Sequence, residues 1–269
     1  MKRQGIVALL LAACGTLTAC GEGGRVSFLD RDTLRVGVRT DLPNIGSRQP
    51  DGTLAGLDVD VSREVARRLG KRVRIVPVRS DERERLLAED RIDLAPTYWA
   101  LPDRKLRLMF AGPYLRTSLD ILVRADETRI RRVQDLRGRR LCAVTAAGAA
   151  EQVIEERRVP AVAVPAGTYD ECVRMLRDRR VDAVSTNDVI LAGIRAREGG
   201  WVRLLNAGFG ERDIAIGLRR TDLAGCEAVN KAITRMYQDG TADRLMRKWF
   251  DGTGLNLSTV DVPQFEGCD

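Results

Sequence analysis

The sequence predicts an α/β fold made of two similar lobes, each with a mostly parallel sheet flanked by helices. Helix and strand patterns alternate along most of its 269 residues, which is the order that builds parallel sheets. A helix–strand unit also occurs twice, which indicates one copy in each lobe.

The first strand and hairpin follow from local patterns. Leu34, Val36 and Val38 alternate with polar or small residues, which predicts a strand. Further on, Pro50-Asp51-Gly52 is a turn signal that precedes new apolar positions. We therefore expect a hairpin around this turn.

A helix and a second strand follow. Val61, Val65 and Leu69 recur every four residues, and Gly70 comes next as a helix-ending residue. This spacing predicts an amphipathic helix. The segment Val73–Val78 then reads as a buried strand.

The repeated unit is found at 81–97 and again at 170–186. Seven residues match without a gap: Asp81, Glu82, Arg85, Leu87, Arg91, Asp93 and Thr97 with Asp170, Glu171, Arg174, Leu176, Arg180, Asp182 and Thr186. The alternative is chance similarity between two units of like composition. Because ligands sit beyond the carboxyl ends of parallel strands, residues that follow Thr97 and Thr186 should face a shared cleft.

The N-terminus has the pattern of an export signal. Lys2 and Arg3 precede an apolar run, Ile6–Ala13, that is too short to span a bilayer. Cys14 and Cys20 each follow small residues, as the acylated cysteine of a bacterial lipoprotein does. A plain secretory signal, cleaved at a small-residue site, is the alternative.

Cysteine parity favours Cys20 as the lipidated residue. If Cys20 becomes the new N-terminus, Cys14 is removed, and an even number of cysteines remains, as suits two disulfides in an exported protein. Those cysteines are Cys142, Cys172, Cys226 and Cys268. We expect a lipoprotein signal peptide over 1–19, then a lipidated N-terminus and tether over 20–33.

Composition excludes several classes of function. The chain has a formal charge of +7 and no histidine, so histidine-based catalysis and histidine metal sites are ruled out. Its arginines are interleaved with acidic residues, which is typical of solvated faces and not of a nucleic-acid surface. We expect no metal and no cofactor.

Two segments after strand ends offer groups for an anion. The first carries Tyr98, Trp99 and Arg104, and an arginine can grip a carboxylate with two parallel hydrogen bonds. The second is a small-residue stretch with Ala147 and Gly148, where backbone amides at a helix start can approach an anion. Alternatively, Arg104 is a solvated arginine and Gly148 serves close packing.

The third segment follows Thr186. Asp188 can meet a ligand ammonium, or it can cap the helix that continues through Ile190. Asn187 stands beside it. Elsewhere, Asp58 and Asp60 read as the polar start of a helix and not as a metal site.

Several motifs occur in order and at a common spacing. They are Arg48 to Thr53, Gly56 to Val61, Arg104 to Tyr114 with its Phe-Ala-Gly-Pro-Tyr ending, Leu141 to Thr145, Thr168 to Cys172, and Val181 to Val184 continuing to Ile190 to Gly193. With them the chain resembles the extracellular solute-binding proteins, family 3, for polar amino acids, most of all the glutamate-binding lipoproteins of ABC importers. The similarity runs from about Leu34 to Tyr237.

The resemblance implies a two-lobed clamshell of the periplasmic-binding-protein type. Its two hinge crossings would lie near Leu119–Arg124 and near Asp213–Leu218. Residues 34–120 would form the first part of lobe 1, residues 121–213 lobe 2, and residues 214–269 the rest of lobe 1 with the C-terminal tail. It also implies a disulfide between Cys142 and Cys172, which leaves Cys226 and Cys268 for each other.

The resemblance assigns roles in binding. Arg104 matches the arginine that takes an α-carboxylate. Leu101 stands where a threonine would help, and Ala147 and Gly148 stand where hydroxyl residues would. Asn187, with Asp188 beside it, occupies the place of an aspartate that takes the α-ammonium. Two remaining roles are expected: Arg48 for a second acidic group, and Tyr98 or Trp99 as the cover over the ligand.

The expected function is that of an exported, lipid-anchored binding component of an ABC importer, on the outer face of the membrane or in the periplasm. It would bind a glutamate-like, amino-acid-like or anionic solute as a monomer and deliver it to a permease. Catalysis is not expected, because the cleft segments show no positioned acid–base pair. The alternative is a diverged clamshell that acts as a sensor or interaction module, which predicts a closed or filled cleft.

Overall fold

The computed structural model describes residues 27–255, 263–265 and 267–268. The predicted signal peptide and Cys20 lie outside these residues. The strands are β1 (Thr33–Arg39), β2 (Asp41–Leu42), β3 (Gly46–Arg48), β4 (Leu54–Ala55), β5 (Arg72–Val78), β6 (Ala95–Trp99), β7 (Leu108–Arg124), β8 (Arg140–Val144), β9 (Val162–Ala166), β10 (Ala183–Asn187), β11 (Val202–Leu204) and β12 (Glu211–Arg219). The helices are α1 (Leu57–Arg68), α2 (Arg83–Ala88), α3 (Pro102–Lys105), α4 (Ala149–Glu151), α5 (Tyr169–Arg177), α6 (Asp188–Glu198), α7 (Leu223–Gln238) and α8 (Thr241–Phe250).

The first lobe begins with parallel strands. β1 pairs with β5, and its backbone also meets the chain just before β6, where the Gly37 N–H donates to the Leu94 carbonyl at 2.8 Å. The predicted helix is α1, and Gly70 follows it with φ of +66°. The predicted hairpin around Gly52 is formed by β3 and β4. The predictions of a first strand, an amphipathic helix and a hairpin are therefore confirmed.

The prediction of a buried strand over Val73–Val78 is wrong in its burial. β5 is an edge strand that pairs with β1, and its arginines are exposed while Val73 and Ile75 are half-buried. Val78 is the only residue of β5 that is fully buried. The run looked like a core strand because its apolar residues are β-branched, and edge strands use such residues too.

The second lobe joins the first through one long strand. β7 spans 17 residues; it pairs with β12 up to Ser118 and with β10 from Leu119 onward. The strands of this sheet lie in the order β6-β12-β7-β10-β8-β9, with β11 also on β7. The chain returns along β12, which runs antiparallel to β7. The molecule is thus an α/β clamshell in which parallel strands of each lobe flank two antiparallel crossing strands.

The sequence repeat appears as a repeated structure. In lobe 1, Asp93 accepts hydrogen bonds from the backbone N–H and the guanidinium of Arg35, on β1. In lobe 2, Asp182 accepts the same set from Arg140, on β8. Each aspartate lies just before the strand that ends at the cleft. The repeat therefore places the same Arg–Asp contact just before a cleft strand in both lobes.

Two disulfides staple the fold. Cys142 on β8 bonds to Cys172 on α5, and Cys226 on α7 bonds to Cys268 in the C-terminal tail. The first closes a loop of 30 residues, a length for which chain entropy predicts about 3 to 4 kcal/mol of stabilisation. No helix among the described residues is long and apolar enough to cross a bilayer.

Candidate functional site

A cleft between the lobes is lined by the carboxyl ends of strands from both sides. Lobe 1 contributes Arg39, Arg83, Thr97, Trp99 and Arg104, and lobe 2 contributes Ala147, Tyr169, Thr186, Asn187 and Ile190. The position agrees with the rule for ligands in open α/β sheets. The predicted cleft beyond Thr97 and Thr186 is therefore present.

The lobes are closed on each other. Trp99 Nε1 donates to Asn187 Oδ1 at 2.9 Å, and the Tyr169 N–H donates to Asp41 Oδ2 at 3.0 Å. Arg104 Nη2 also reaches across to the Ala146 carbonyl at 3.2 Å. The room left in the cleft, about 10 Å³, is about what one water molecule needs. A solute would have to separate these groups to bind.

Three arginines line this space, and they differ in whether a carboxylate balances their positive charge. Arg39 forms a buried, two-pronged ion pair with Asp41, at 2.6 and 3.0 Å. Burial of Asp41 acts to raise its pKa, but the charge of Arg39 and the bonds it receives lower that pKa overall. Arg39 is thereby neutralised by its own partner.

Arg83 is different, because it is buried and makes no salt bridge in the described part of the chain, although the charge of the buried Asp58 acts on it from beyond hydrogen-bond distance. Its guanidinium donates to the carbonyls of Pro96 and Thr97 at 3.0 and 2.9 Å and stacks on the Tyr98 ring at 3.9 Å. Burial lowers its pKa to about 10. Among the described residues no carboxylate forms a salt bridge with Arg83 or Arg104. A buried positive charge in this state is costly unless an anion joins it.

Behind the cleft, Asp58 anchors Thr97. The Thr97 hydroxyl and the Tyr114 hydroxyl both donate to the Asp58 carboxylate, which is fully buried. Burial raises the pKa of Asp58 to about 6, although these hydrogen bonds oppose the rise. Thr97 has φ of +57°, a conformation that a β-branched residue keeps only where its surroundings hold it.

Asn187 carries an unused donor at the centre of the cleft. Its Oδ1 accepts from Trp99, whereas its Nδ2 is buried and has no partner in the described part of the chain. The assignment of the two amide atoms follows from Trp99, since an indole nitrogen only donates.

Four of the predicted site residues line the cleft: Trp99, Arg104, Ala147 and Asn187. Gly148 lies against them, because a Cβ there would approach Arg104 Nη2 and the Trp99 ring to 3.4 Å. This agrees with the interpretation that Gly148 serves close packing, whereas its role in approaching an anion stays a prediction. The helix it precedes, α4, has only three residues.

The other predicted site residues do not line the cleft. Tyr98 points to the opposite face of β6 and packs on Phe110, because side chains alternate along a strand. Arg48 is exposed and donates to the Gly52 carbonyl within its hairpin. Leu101 is half-buried at the start of α3.

Asp188 is turned away from the cleft toward the hinge. Its carboxylate accepts from the Thr117 hydroxyl, and from the backbone N–H groups of Ser118 at 3.2 Å and Val189 at 2.7 Å. Burial raises its pKa. It therefore fastens the start of α6 to β7 and is not among the residues that line the closed cleft.

Residues 34–252 match the model of the bacterial extracellular solute-binding proteins, family 3. The chain belongs to this family. It is 34% identical to the glutamate-binding protein GluB of Corynebacterium glutamicum, with 92% of each chain covered. It is 26% identical to the L-cystine-binding protein TcyJ of Escherichia coli, over 92% of this chain and 94% of that protein.

The fold of the family is seen in solved structures. An ancestral arginine-binding protein bound to arginine matches with a TM-score of 0.76 and 27% identity, over 82% of this chain and 99% of that one. The chain is thus a solute-binding protein of the amino-acid importer family, with a two-lobed fold. These relatives are named for binding and not for catalysis.

Sequence reasoning missed several residues that line the family's cleft in this chain, namely Arg39, Arg83, Tyr169 and Ile190. Arg39 ends β1, so the rule that was applied to Thr97 would also have found it. Arg83 and Tyr169 are the first residues of α2 and α5. Their local sequence does not distinguish them from the other residues that begin helices in this arginine-rich chain.

Proposed function

We propose that this chain is the lipid-anchored binding component of an ABC importer and holds a small anionic or amino-acid-like solute, glutamate-like in charge, between its lobes. The observation that supports this most is the convergence of Arg83, Arg104 and the free Asn187 amide on one cleft. Arg104, half-buried at the edge of the cleft, would take a carboxylate in two parallel hydrogen bonds. The similarity to GluB agrees with an acidic ligand.

Binding is tested by titration calorimetry and thermal shift of the purified protein against amino acids, dicarboxylates and small peptides. A ligand that binds the folded state must raise its melting temperature, by an amount that grows with ligand concentration. Stabilisation by glutamate or a related acid is expected. Silence across the whole set would overturn the proposal.

We propose anchoring at Cys20 and delivery to a membrane permease, and membership of the solute-binding family supports this partner. In cells fed a labelled fatty acid, the wild-type protein should carry label and sediment with membranes. Cys20→Ala should abolish both, and Cys14→Ala serves as the matched control that keeps them. Label retained by Cys20→Ala would contradict the assignment.

A second candidate is a clamshell that has lost or changed its amino-acid binding and acts as a sensor or interaction module. It is favoured by the closed cleft, which has room for about one water and is bridged by Trp99 and Asn187. This candidate predicts that no small carboxylate or amino acid shifts the melting temperature.

A further inference from the structure

The ten residues that line the closed cleft carry positive charge and no carboxylate. Arg39, Arg83 and Arg104 are among them, and none of the ten is Asp or Glu. The carboxylate of Asp41 already forms an ion pair with Arg39. Asp58 lies behind Thr97, and its two oxygens accept from Thr97 and Tyr114.

An ammonium group on a ligand would therefore find poor partners here. It brings three donors and a positive charge, and the strongest acceptor for it would be a carboxylate. Near Asn187 the described residues offer an amide oxygen that already accepts from Trp99, and the hydroxyl oxygens of Thr97 and Thr186. The neighbouring guanidinium groups add repulsion.

An oxygen acceptor at the same place would be well matched. Asn187 is 1% exposed, and its Nδ2 has no partner in the described part of the chain. A buried donor left without an acceptor destabilises the protein, and a ligand oxygen would remove that cost. A carbonyl oxygen accepts without bringing a charge or a competing donor.

We infer that the solute is a small carboxylate with an oxygen acceptor in place of an ammonium beside its carboxyl group, that is, a 2-oxo acid, and that Asn187 sets this preference. Arg104 and Arg83 supply the charge that holds the carboxylate, and Asn187 Nδ2 donates to the oxo group. The inference rests on the proposed function, since it requires that the cleft bind a solute.

The test compares matched pairs of ligands on the purified protein by titration calorimetry. The pairs are pyruvate with alanine, 2-oxoglutarate with glutamate, and 4-methyl-2-oxopentanoate with leucine, so that the result does not depend on the ligand's side chain. In the pair that binds best, we expect the oxo acid to bind at least about tenfold more tightly, because it satisfies the buried Asn187 donor that the amino acid leaves unpaired. Tighter binding of the amino acid would overturn the inference and leave the proposed function standing.

The role of Asn187 is tested with Asn187→Asp, which supplies the missing carboxylate in nearly the same shape. Its preference should move toward the amino acid by about tenfold or more. Gln49→Glu makes the same amide-to-acid change in the β3–β4 hairpin, outside the cleft, and should leave the preference unchanged. If Asn187→Asp keeps the wild-type melting temperature and the wild-type preference, Asn187 does not set it.

Silence toward all six ligands would also overturn the inference. If amino acids or other small molecules in the wider screen still bind, the inference is wrong and the proposed function stands. If nothing in that screen binds, the proposed function falls with it.

Discussion

Single residues of the cleft differ in how far their charge is already balanced. Arg39 has Asp41, whereas Arg83 and Arg104 have backbone carbonyls and an aromatic ring. The two unbalanced arginines lie on the side of the cleft where the lobe 1 strands end. An anion bound there would complete an arrangement that the protein alone leaves positive.

Arg104→Gln is expected to weaken binding of the anionic solute about 10- to 100-fold. The change removes a charge-assisted hydrogen-bonding group, whose contribution is about 1.5 to 3 kcal/mol. Titration calorimetry measures the effect. Arg48→Gln is the matched control, because Arg48 is exposed in its hairpin, and equal losses in both variants would contradict the assignment.

Asp58 predicts an unusual pH dependence of stability. Burial raises its pKa in the folded state from 3.8 to about 6, so the folded protein binds the proton more strongly than the unfolded chain does. The contribution of Asp58 is fully present below about pH 4 and is lost as the pH rises through 6. The loss amounts to about 3 kcal/mol at most.

Asp58→Asn removes this titration. We expect the free energy of unfolding of the wild type, minus that of the variant, to fall between pH 4 and pH 6.5. Denaturant unfolding at several pH values measures it. A difference that does not change with pH would show that Asp58 stays ionised in the folded protein.

At the scale of elements, the repeated Arg–Asp pairs hold the strands of each lobe at the cleft. Asp93 has no exposed side-chain surface and pairs with both Arg31 and Arg35. Asp182 is 13% exposed and pairs with Arg140. We therefore expect the two Arg–Asp contacts to contribute differently to the stability of their lobes.

Asp93→Ala is expected to lower the free energy of unfolding by about 2 to 3 kcal/mol, because it leaves two arginines without their buried partner. Asp182→Ala should cost less, since its arginine remains hydrated. Urea unfolding of both variants compares them directly. A larger loss in Asp182→Ala would mean that lobe 2 limits the stability of the fold.

The strands and helices could be predicted from the sequence more completely than the residues that line the cleft. Alternation and turn signals located β1, α1 and the hairpin, and the repeat located both strand ends at the cleft. Arg104, Trp99 and Asn187 were found because they follow those ends. Arg83 was missed because its burial depends on contacts from distant segments, and Tyr98 was misplaced because alternation within β6 was not applied to it.

For the whole molecule, the closed state without solute depends on contacts between lobes. Trp99 and Asn187 form the one that lies at the centre of the cleft. Since closure and opening are two states of one equilibrium, a loss of about 1.4 kcal/mol from the closed state shifts the ratio about tenfold.

Trp99→Phe keeps an aromatic ring and removes the indole donor, so the Asn187 side chain loses the one hydrogen bond that it makes in the described part of the chain. We expect the solute-free protein to open, which small-angle X-ray scattering would show as a larger radius of gyration. Trp201→Phe is the matched control, because its Nε1 has no partner in the described part of the chain. An unchanged radius in Trp99→Phe would show that other contacts keep the lobes shut.

Asn187 and Asp188 are neighbours in the chain with opposite attachments. Asn187 faces the space a solute would occupy, and Asp188 holds Thr117 and Ser118, where β7 changes partners between the lobes. A bound molecule that contacts Asn187 would act one peptide bond away from the residue that holds β7 where it passes between the lobes. We therefore expect a ligand contact at Asn187 to be passed directly through Asp188 to the part of β7 that connects the lobes.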